Sequence, residues 1–217
     1  MHVGDLQERL AALYHLEHGL AVEDFLVTDA ATAGALTPES ARRHMDERLL
    51  VRDDGDGVSL ALYLDDALLA RLRERNPLDA LDDEGLEDFW TAVEGISHFN
   101  YVVHNASVRR EVTLLELELQ AEVDKFVSTM LLAREQGRRA VASRLHHLLF
   151  ERMSLDAELG DEERERYRLA NDYAGRFCRR IGARVHEAGE EIMAELRKFY
   201  RYSQRQKISH IHARAWA

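Results

Sequence analysis

The sequence predicts a mainly α-helical protein: a helical bundle built on a long C-terminal helix, with a small N-terminal α+β module. Apolar residues recur every three or four positions from Tyr167 to Phe199, which is the pattern of one buried helical face. The 217-residue chain has only two prolines, so few positions force a break in a helix. Two β-prone runs flank the Asp/Gly-rich segment 53–57, which predicts a hairpin near residues 49–64.

The N-terminal module is expected to occupy residues 1–77, with the element order helix, helix, hairpin and helix. Thr37 and Pro38 have the residue types of an N-cap and a first helical position, which predicts the start of the second helix. The predicted elements are a helix at 3–18, a small-residue loop at 29–36, a helix from 38 to about 48, the hairpin, and a helix at 66–75. This order resembles that of winged-helix modules, but the second helix is of mixed charge, unlike that of a DNA reader.

Residues 82–217 are expected to form the helical bundle and to end in a basic tail. The predicted helices cover residues 82–105, 115–136, 141–158 and 161–202. Residues 115–119 alternate like a strand, but the apolar positions across the wider window recur every three or four residues and favour a helix. The last helix would be about 60 Å long, and Gly175 and Gly182 leave open whether it is continuous. Four helices with short connections indicate an antiparallel bundle.

Composition restricts the class of protein and its location. The formal net charge is −11, and most of the acidic excess lies in the N-terminal half, so nucleic-acid binding is not expected. No apolar run approaches the roughly 18 residues of a membrane span, and no signal-like segment is found at the N-terminus. The single cysteine, Cys178, agrees with a reducing compartment, so we expect a cytoplasmic protein. The arginines beside Cys178 leave a reactive thiol open.

Acidic and histidine side chains four residues apart provide the candidate chemistry. Such pairs share one helical face, and helical bundles can hold a di-iron or di-manganese pair with inward carboxylates and histidines. The candidate metal ligands are Glu94, His98, His146, His186 and Glu190. The alternative interpretation is solvated ion pairs, because the Glu-x-x-His spacing of such bundles is absent from these helices. The pair Glu118 and Glu122 is expected to face away from the apolar stripe of its helix.

Two further segments carry unusual polar residues. In residues 96–105, serine, histidine, asparagine and tyrosine lie beside an apolar stripe, which indicates a buried polar network or a ligand pocket. If these side chains face inward, Glu116 or Glu118 on the next helix are the expected partners. Near the C-terminal end, His210 and His212 would form a transition-metal clamp on an extended chain.

The favoured functional interpretation is a non-catalytic cytoplasmic scaffold or adaptor that acts through protein–protein contacts of its long helix, acidic module and basic tail. A helix longer than its own domain usually buries the overhang against another chain, so a homodimer, with coiled-coil contacts, or another protein partner is expected. The alternative is a helical-bundle metalloprotein with a di-iron, di-manganese or oxidase-like centre built from the Glu/His pairs. No membrane contact is expected.

Overall fold

A computed structural model describes residues 1–17, 19–37, 45–53, 57–152, 159–187 and 189–213. These described residues form nine α-helices and a three-stranded sheet, which confirms the predicted mainly α fold with a small α+β module. The helices are α1 (Val3–Tyr14), α2 (Ala30–Leu36), α3 (Asp66–Glu74), α4 (Leu86–Ser107), α5 (Leu114–Glu135), α6 (Arg139–His146), α7 (Asp161–Glu187), α8 (Glu190–Tyr200) and α9 (Gln204–Ala213). The strands are β1 (Leu26–Val27), β2 (Glu47–Asp53) and β3 (Val58–Leu64).

The predicted hairpin is confirmed as β2 and β3, which pair antiparallel with Leu49 opposite Leu62. The short strand β1 adds to the other edge of β3 in parallel, so the strand order is β1-β3-β2. The side chains of Leu62 and Leu64 are fully buried, because β3 begins exposed at Val58 and enters the core, where its last three residues are buried.

Two predictions in this module differ from the structure. The segment predicted as a loop is the helix α2, because its alanines favour a helix and the Asp29 carboxylate accepts a hydrogen bond from the Thr32 backbone N–H. The helix predicted from Pro38 falls mostly on residues 38–44, which lie outside the described residues. Its expected end is wrong, because β2 already begins at Glu47.

The module and the bundle meet at a close contact between α4 and the sheet. A Cβ atom at Gly95 would lie 2.8 Å from Cγ of Glu47 and 3.1 Å from Cδ1 of Leu62, so only glycine allows this approach. Helix α5 lies on another side of α4 and also packs against α6 and α7. One cluster of buried apolar side chains runs from α1 and the sheet to α8. The division of the chain into two domains, residues 1–77 and 82–217, stays a prediction.

The segment predicted as a single helix from residue 161 to 202 is divided. Helix α7 passes through both of its glycines without a break and ends at Glu187, and α8 begins after Gly189, whose backbone is extended (φ −67°, ψ 152°). The rings of Phe177 and Phe199 stack with centroids 4.0 Å apart. In one straight helix these residues would lie about 33 Å apart. The apolar stripe is therefore divided between α7, which packs mainly against α5, and α8, which folds back so that Phe199 meets Phe177.

None of the helices in the described residues has both the length and the apolar character that a membrane crossing requires.

The C-terminal segment that was expected to be extended forms the helix α9. The prediction that His210 and His212 form a metal clamp on an extended chain is therefore wrong. Residues two apart on a helix point about 200° apart. His210 instead lies 3.1 Å from a carboxylate oxygen of Glu195, and the ring of His212 packs against Tyr173.

Candidate metal centre

Three side chains with metal-ligating atoms meet where α4 contacts the sheet. Glu94 and His98 lie one turn apart on α4, and Glu47 is the first residue of β2. One ligand atom from each of the three lies within 4.8 Å of the other two. In the part of the chain that the structure describes, this is the one group of three or more His, Cys, Asp or Glu side chains with that spacing. Glu47 and His98 are only 7% and 6% exposed.

The imidazole of His98 lies between two carboxylates. Its Nδ1 is 3.5 Å from Oε1 of Glu47, and its Nε2 is 3.5 Å from Oε2 of Glu118. Both distances exceed the usual length of a hydrogen bond. Accordingly, Oε1 of Glu47 and Nε2 of His98 are buried without a hydrogen-bond partner among the described residues. Unsatisfied buried polar atoms are rare in proteins, so two of them at one place require an explanation.

The electrostatics of this group follow from burial and from its neighbours. Burial raises the pKa of the Glu47 carboxyl, although the neighbouring imidazole opposes this change. Burial by itself would lower the pKa of His98, but the carboxylates of Glu118 and Glu47 outweigh it and hold that pKa well above its usual value. The two carboxylates therefore stabilise a positive charge between them, which the protonated imidazole supplies.

A buried lysine neutralises the other side of the site. The Nζ of Lys125 on α5 donates hydrogen bonds to Oε2 of Glu94 at 3.0 Å and to Oε1 of Glu122 at 2.6 Å. Burial alone would lower the pKa of Lys125, but these two carboxylates outweigh it and raise that pKa. Burial likewise would raise the pKa of Glu94, yet the charges of Lys125 and His98 lower it overall. Lys125 is thus a permanent cation between two carboxylates.

Helix α7 contributes a second cation, Arg166, whose Nε lies 3.8 Å from Oε1 of Glu118. Its Nε is also buried without a hydrogen-bond partner within the described ranges. With His98 neutral, as a metal ligand must be, the ionised carboxylates of Glu47, Glu94, Glu118 and Glu122 outnumber Lys125 and Arg166 by two charges (four minus two); with His98 protonated the excess is one. The excess of two negative charges matches the charge of one divalent cation.

The structure places the five predicted ligands in three different parts of the molecule. Glu94 and His98 lie together at the site. His146 and His186 line a separate cavity between α5, α6 and α7. Glu190 begins α8, where its largely exposed carboxylate (82%) pairs with Nη1 of Arg197 at 2.8 Å.

Sequence reasoning missed Glu47 and misplaced Glu118. The helical pattern gives no signal for Glu47, because it comes from a strand far from α4 in the sequence. Glu118 was expected to face away from the apolar stripe of α5, but it is 7% exposed and faces His98. The reason is that α5 packs against α4, α6 and α7 and buries consecutive positions, so it has no single face that is exposed to solvent. The expectation that the polar groups of residues 96–105 find partners on the next helix is confirmed: Tyr101 donates a hydrogen bond to Glu116.

The sequence left open the hypothesis that Cys178 is a reactive thiol, and the structure contradicts it. Cys178 is completely buried in α7, and burial raises the pKa of its thiol well above the usual value. The neighbouring arginines point elsewhere: the guanidinium of Arg179 pairs with Glu151, and that of Arg180 pairs with Glu195. The thiol therefore stays protonated and acts as a small apolar side chain.

The arrangement of Glu47, Glu94 and His98 can hold a metal ion, since it combines two carboxylates and an imidazole in a buried, negatively charged site. The imidazole also has a second-sphere partner, because Glu118 lies beside Nε2 of His98, the ring nitrogen that faces away from Glu47. No model of a known protein family, no curated protein and no solved structure matches this chain.

Proposed function

We propose that the protein is a helical-bundle metalloprotein that binds one divalent transition-metal ion through Glu47, Glu94 and His98. The observation that supports the proposal is the approach of their three ligand atoms to within 4.8 Å of one another in the protein core. Two carboxylates and one imidazole form a donor set suited to Fe²⁺, Mn²⁺ or Zn²⁺.

The geometry needs only a small adjustment to hold an ion. Two ligand atoms that are each about 2.1 Å from one ion lie at most about 4.2 Å apart. The Nδ1 atom of His98 and Oε1 of Glu47 are already 3.5 Å apart, within that limit. Because the pKa of His98 is raised, a metal ion must displace the proton from Nδ1; Glu118, next to Nε2, holds the other proton on Nε2 and so leaves Nδ1 as the ligand atom. Metal binding would give a partner to the unsatisfied Oε1 of Glu47, while Nε2 of His98 keeps Glu118 as its neighbour.

The position of Lys125 favours one ion over the predicted pair of ions. In a di-iron or di-manganese site, the second cation would share the carboxylates of Glu94 and Glu122. Here the ammonium group of Lys125 already lies between them, at 3.0 and 2.6 Å. The lysine therefore lies where a second ion would lie and supplies one positive charge there. Three protein ligands leave further coordination positions open to water or a substrate, as in catalytic metal sites.

Metal binding is tested by titrating the chelator-treated protein with Co²⁺ and recording the visible absorption of the bound ion. We expect one equivalent to bind to the wild type. His98→Gln and Glu47→Gln should lose the spectrum while retaining the far-ultraviolet circular dichroism of the wild type. Glu190→Gln is the matched control, because this exposed glutamate was also a predicted ligand but lies on α8, and it should titrate as the wild type does. An absent spectrum in the wild type, or unchanged titrations of both site variants, would refute the proposal.

The scaffold or adaptor predicted from the sequence stays a prediction, as do its cytoplasmic location and its protein partner. Its main support was a helix that overhangs its own domain. The contact between α7 and α8 weakens that support, because the stripe is covered within the chain. Light scattering distinguishes the two interpretations of the stripe: a dimer supports the scaffold, whereas a monomer of 24.9 kDa agrees with the internal packing.

A further inference from the structure

A second site of chemical interest is the cavity between α5, α6 and α7, which shares no residue with the candidate metal centre. Its volume is about 460 Å³, within the range of about 300–1,000 Å³ that small-molecule sites occupy. Phe126 and Met130 of α5 form much of its apolar wall, together with Ala142 of α6 and Cys178 of α7. The cavity thus offers an apolar surface for the body of a small ligand.

The polar groups around this cavity are all cationic or neutral. Arg139, His146, Arg179 and His186 line it, and none of its lining residues is acidic. Arg179 is paired with Glu151 at 3.1 Å. Arg139 is exposed, and its guanidinium has no carboxylate within 4.0 Å among the described residues, so it can meet an anion at the opening of the cavity.

The two histidines differ in what they offer a ligand. The Nε2 of His146 donates to the carbonyl oxygen of Gly175 at 2.9 Å, and its Nδ1 lies 3.4 Å from Oε1 of Glu151. The Nδ1 of His186 is buried and has no hydrogen-bond partner among the described residues. His146 also directly precedes a π-helical turn, His147–Glu151. Such turns are rare and occur frequently at functional sites. The local backbone is thus of the kind that positions a functional side chain.

From these observations we infer that the cavity binds a small organic carboxylate with an apolar body. The carboxylate lies toward Arg139, which offers several N–H donors in a fixed geometry. The apolar body packs against Phe126 and Met130. A cationic ligand would be repelled by Arg139, and a neutral apolar ligand would gain no ion pair with it, so the site favours the anion.

The inference is tested with octanoate as the probe, by isothermal titration calorimetry on the full chain at neutral pH. The wild type should bind one equivalent, at least tenfold more tightly than it binds 1-octanol or octylamine, a factor equal to about 1.4 kcal/mol. Arg139→Gln should weaken octanoate at least tenfold. Arg138→Gln, an exposed neighbour outside the cavity lining, is the control and should leave the affinity unchanged.

A second variant tests the apolar wall separately from the charge. Ala142→Leu adds bulk into open space of the cavity, so it should abolish octanoate binding while leaving the thermal unfolding midpoint near that of the wild type. The inference is overturned if octanoate does not bind at millimolar concentration, if 1-octanol binds equally well, or if the affinities of Arg139→Gln and Ala142→Leu equal that of the wild type. Because the metal centre shares no residue with this cavity, either proposal can fail without the other.

Discussion

The contribution of Lys207 of α9 to the pH dependence of stability can be predicted, because its side chain is buried completely in the core. Its Nζ donates a hydrogen bond to Gln120 and lies 4.3 Å from the centroid of the Phe199 ring. Burial lowers the pKa of Lys207 to about 7, although the carboxylates of Glu116 and Asp124 oppose that change; Arg110, in contrast, adds to it. The unfolded chain, in which the pKa is near 10.5, therefore binds more protons above pH 7 than the folded protein does.

The sign and size of the effect follow from this difference. Because the pKa of Lys207 is lowered on folding, its amine lowers the free energy of unfolding as the pH falls toward the folded pKa. Lys207 therefore weakens the fold increasingly from pH 10 down to 7. A tenfold difference in proton affinity between the folded and unfolded chains corresponds to about 1.4 kcal/mol. Lys207→Met removes this dependence. The free energy of unfolding of the variant, minus that of the wild type, should fall by about 1 to 2 kcal/mol between pH 7 and 8.5.

Urea unfolding at several pH values measures this difference, with Lys198→Met on the exposed face of α8 as the control. The chosen window lies below the range in which buried tyrosines and Cys178, whose pKa values are raised by burial, would lose their contribution. Parallel pH curves for Lys207→Met and the wild type would show that the amine is not held neutral in the core. A parallel curve for Lys198→Met is expected.

Three further predictions follow from close contacts. Gly95→Ala should lower the unfolding free energy by about 1–3 kcal/mol and weaken metal binding, because the new Cβ would lie 2.8 Å from Cγ of Glu47; urea unfolding and Co²⁺ titration measure both. Gly182→Ala, whose Cβ would lie 3.4 Å from the nearest ring atom, should be neutral or stabilise by up to about 1 kcal/mol in the same unfolding assay. Tyr14→Phe removes a hydrogen bond to Asp124, so it should destabilise by about 1–3 kcal/mol at pH 7. Its effect should be smaller at pH 4, because burial raises the pKa of Asp124 to about 6 and the carboxyl is then neutral.

The sequence located the long helices well because their apolar spacing is a local property. Helices α4 and α5 were both predicted, and α5 was chosen as a helix although residues 115–119 alternate like a strand. The helix α2 was missed since its small residues form no apolar stripe, and Asp29 as its N-cap was the one available signal.

The break at Gly189 shows what periodicity cannot reveal. Both α7 and α8 pack their apolar faces on the same core, so the three- and four-residue spacing continues across the break as it would in one helix. A glycine inside a helical pattern costs about 1 kcal/mol against alanine. The sequence prediction left a break open at Gly175 or Gly182, which both stay helical, and it did not consider Gly189, where the break falls.

The candidate site was predicted in part. Glu94 and His98 were selected because residues four apart share a face of a helix. Glu47 could not be found in this way, because its position depends on the long-range contact between β2 and α4. Gly95 was an available signal: a glycine between the two candidate ligands, inside an apolar helix, indicates the close approach of another element.

The central claim is that Glu47, Glu94 and His98 together hold one metal ion. It is tested most directly by the metal content of protein purified without chelator, measured by inductively coupled plasma mass spectrometry for the wild type, Glu47→Gln and Glu190→Gln. We predict one transition-metal ion per chain in the wild type and in Glu190→Gln, and none in Glu47→Gln. Wild-type protein without bound metal, or Glu47→Gln with full occupancy, would contradict the claim.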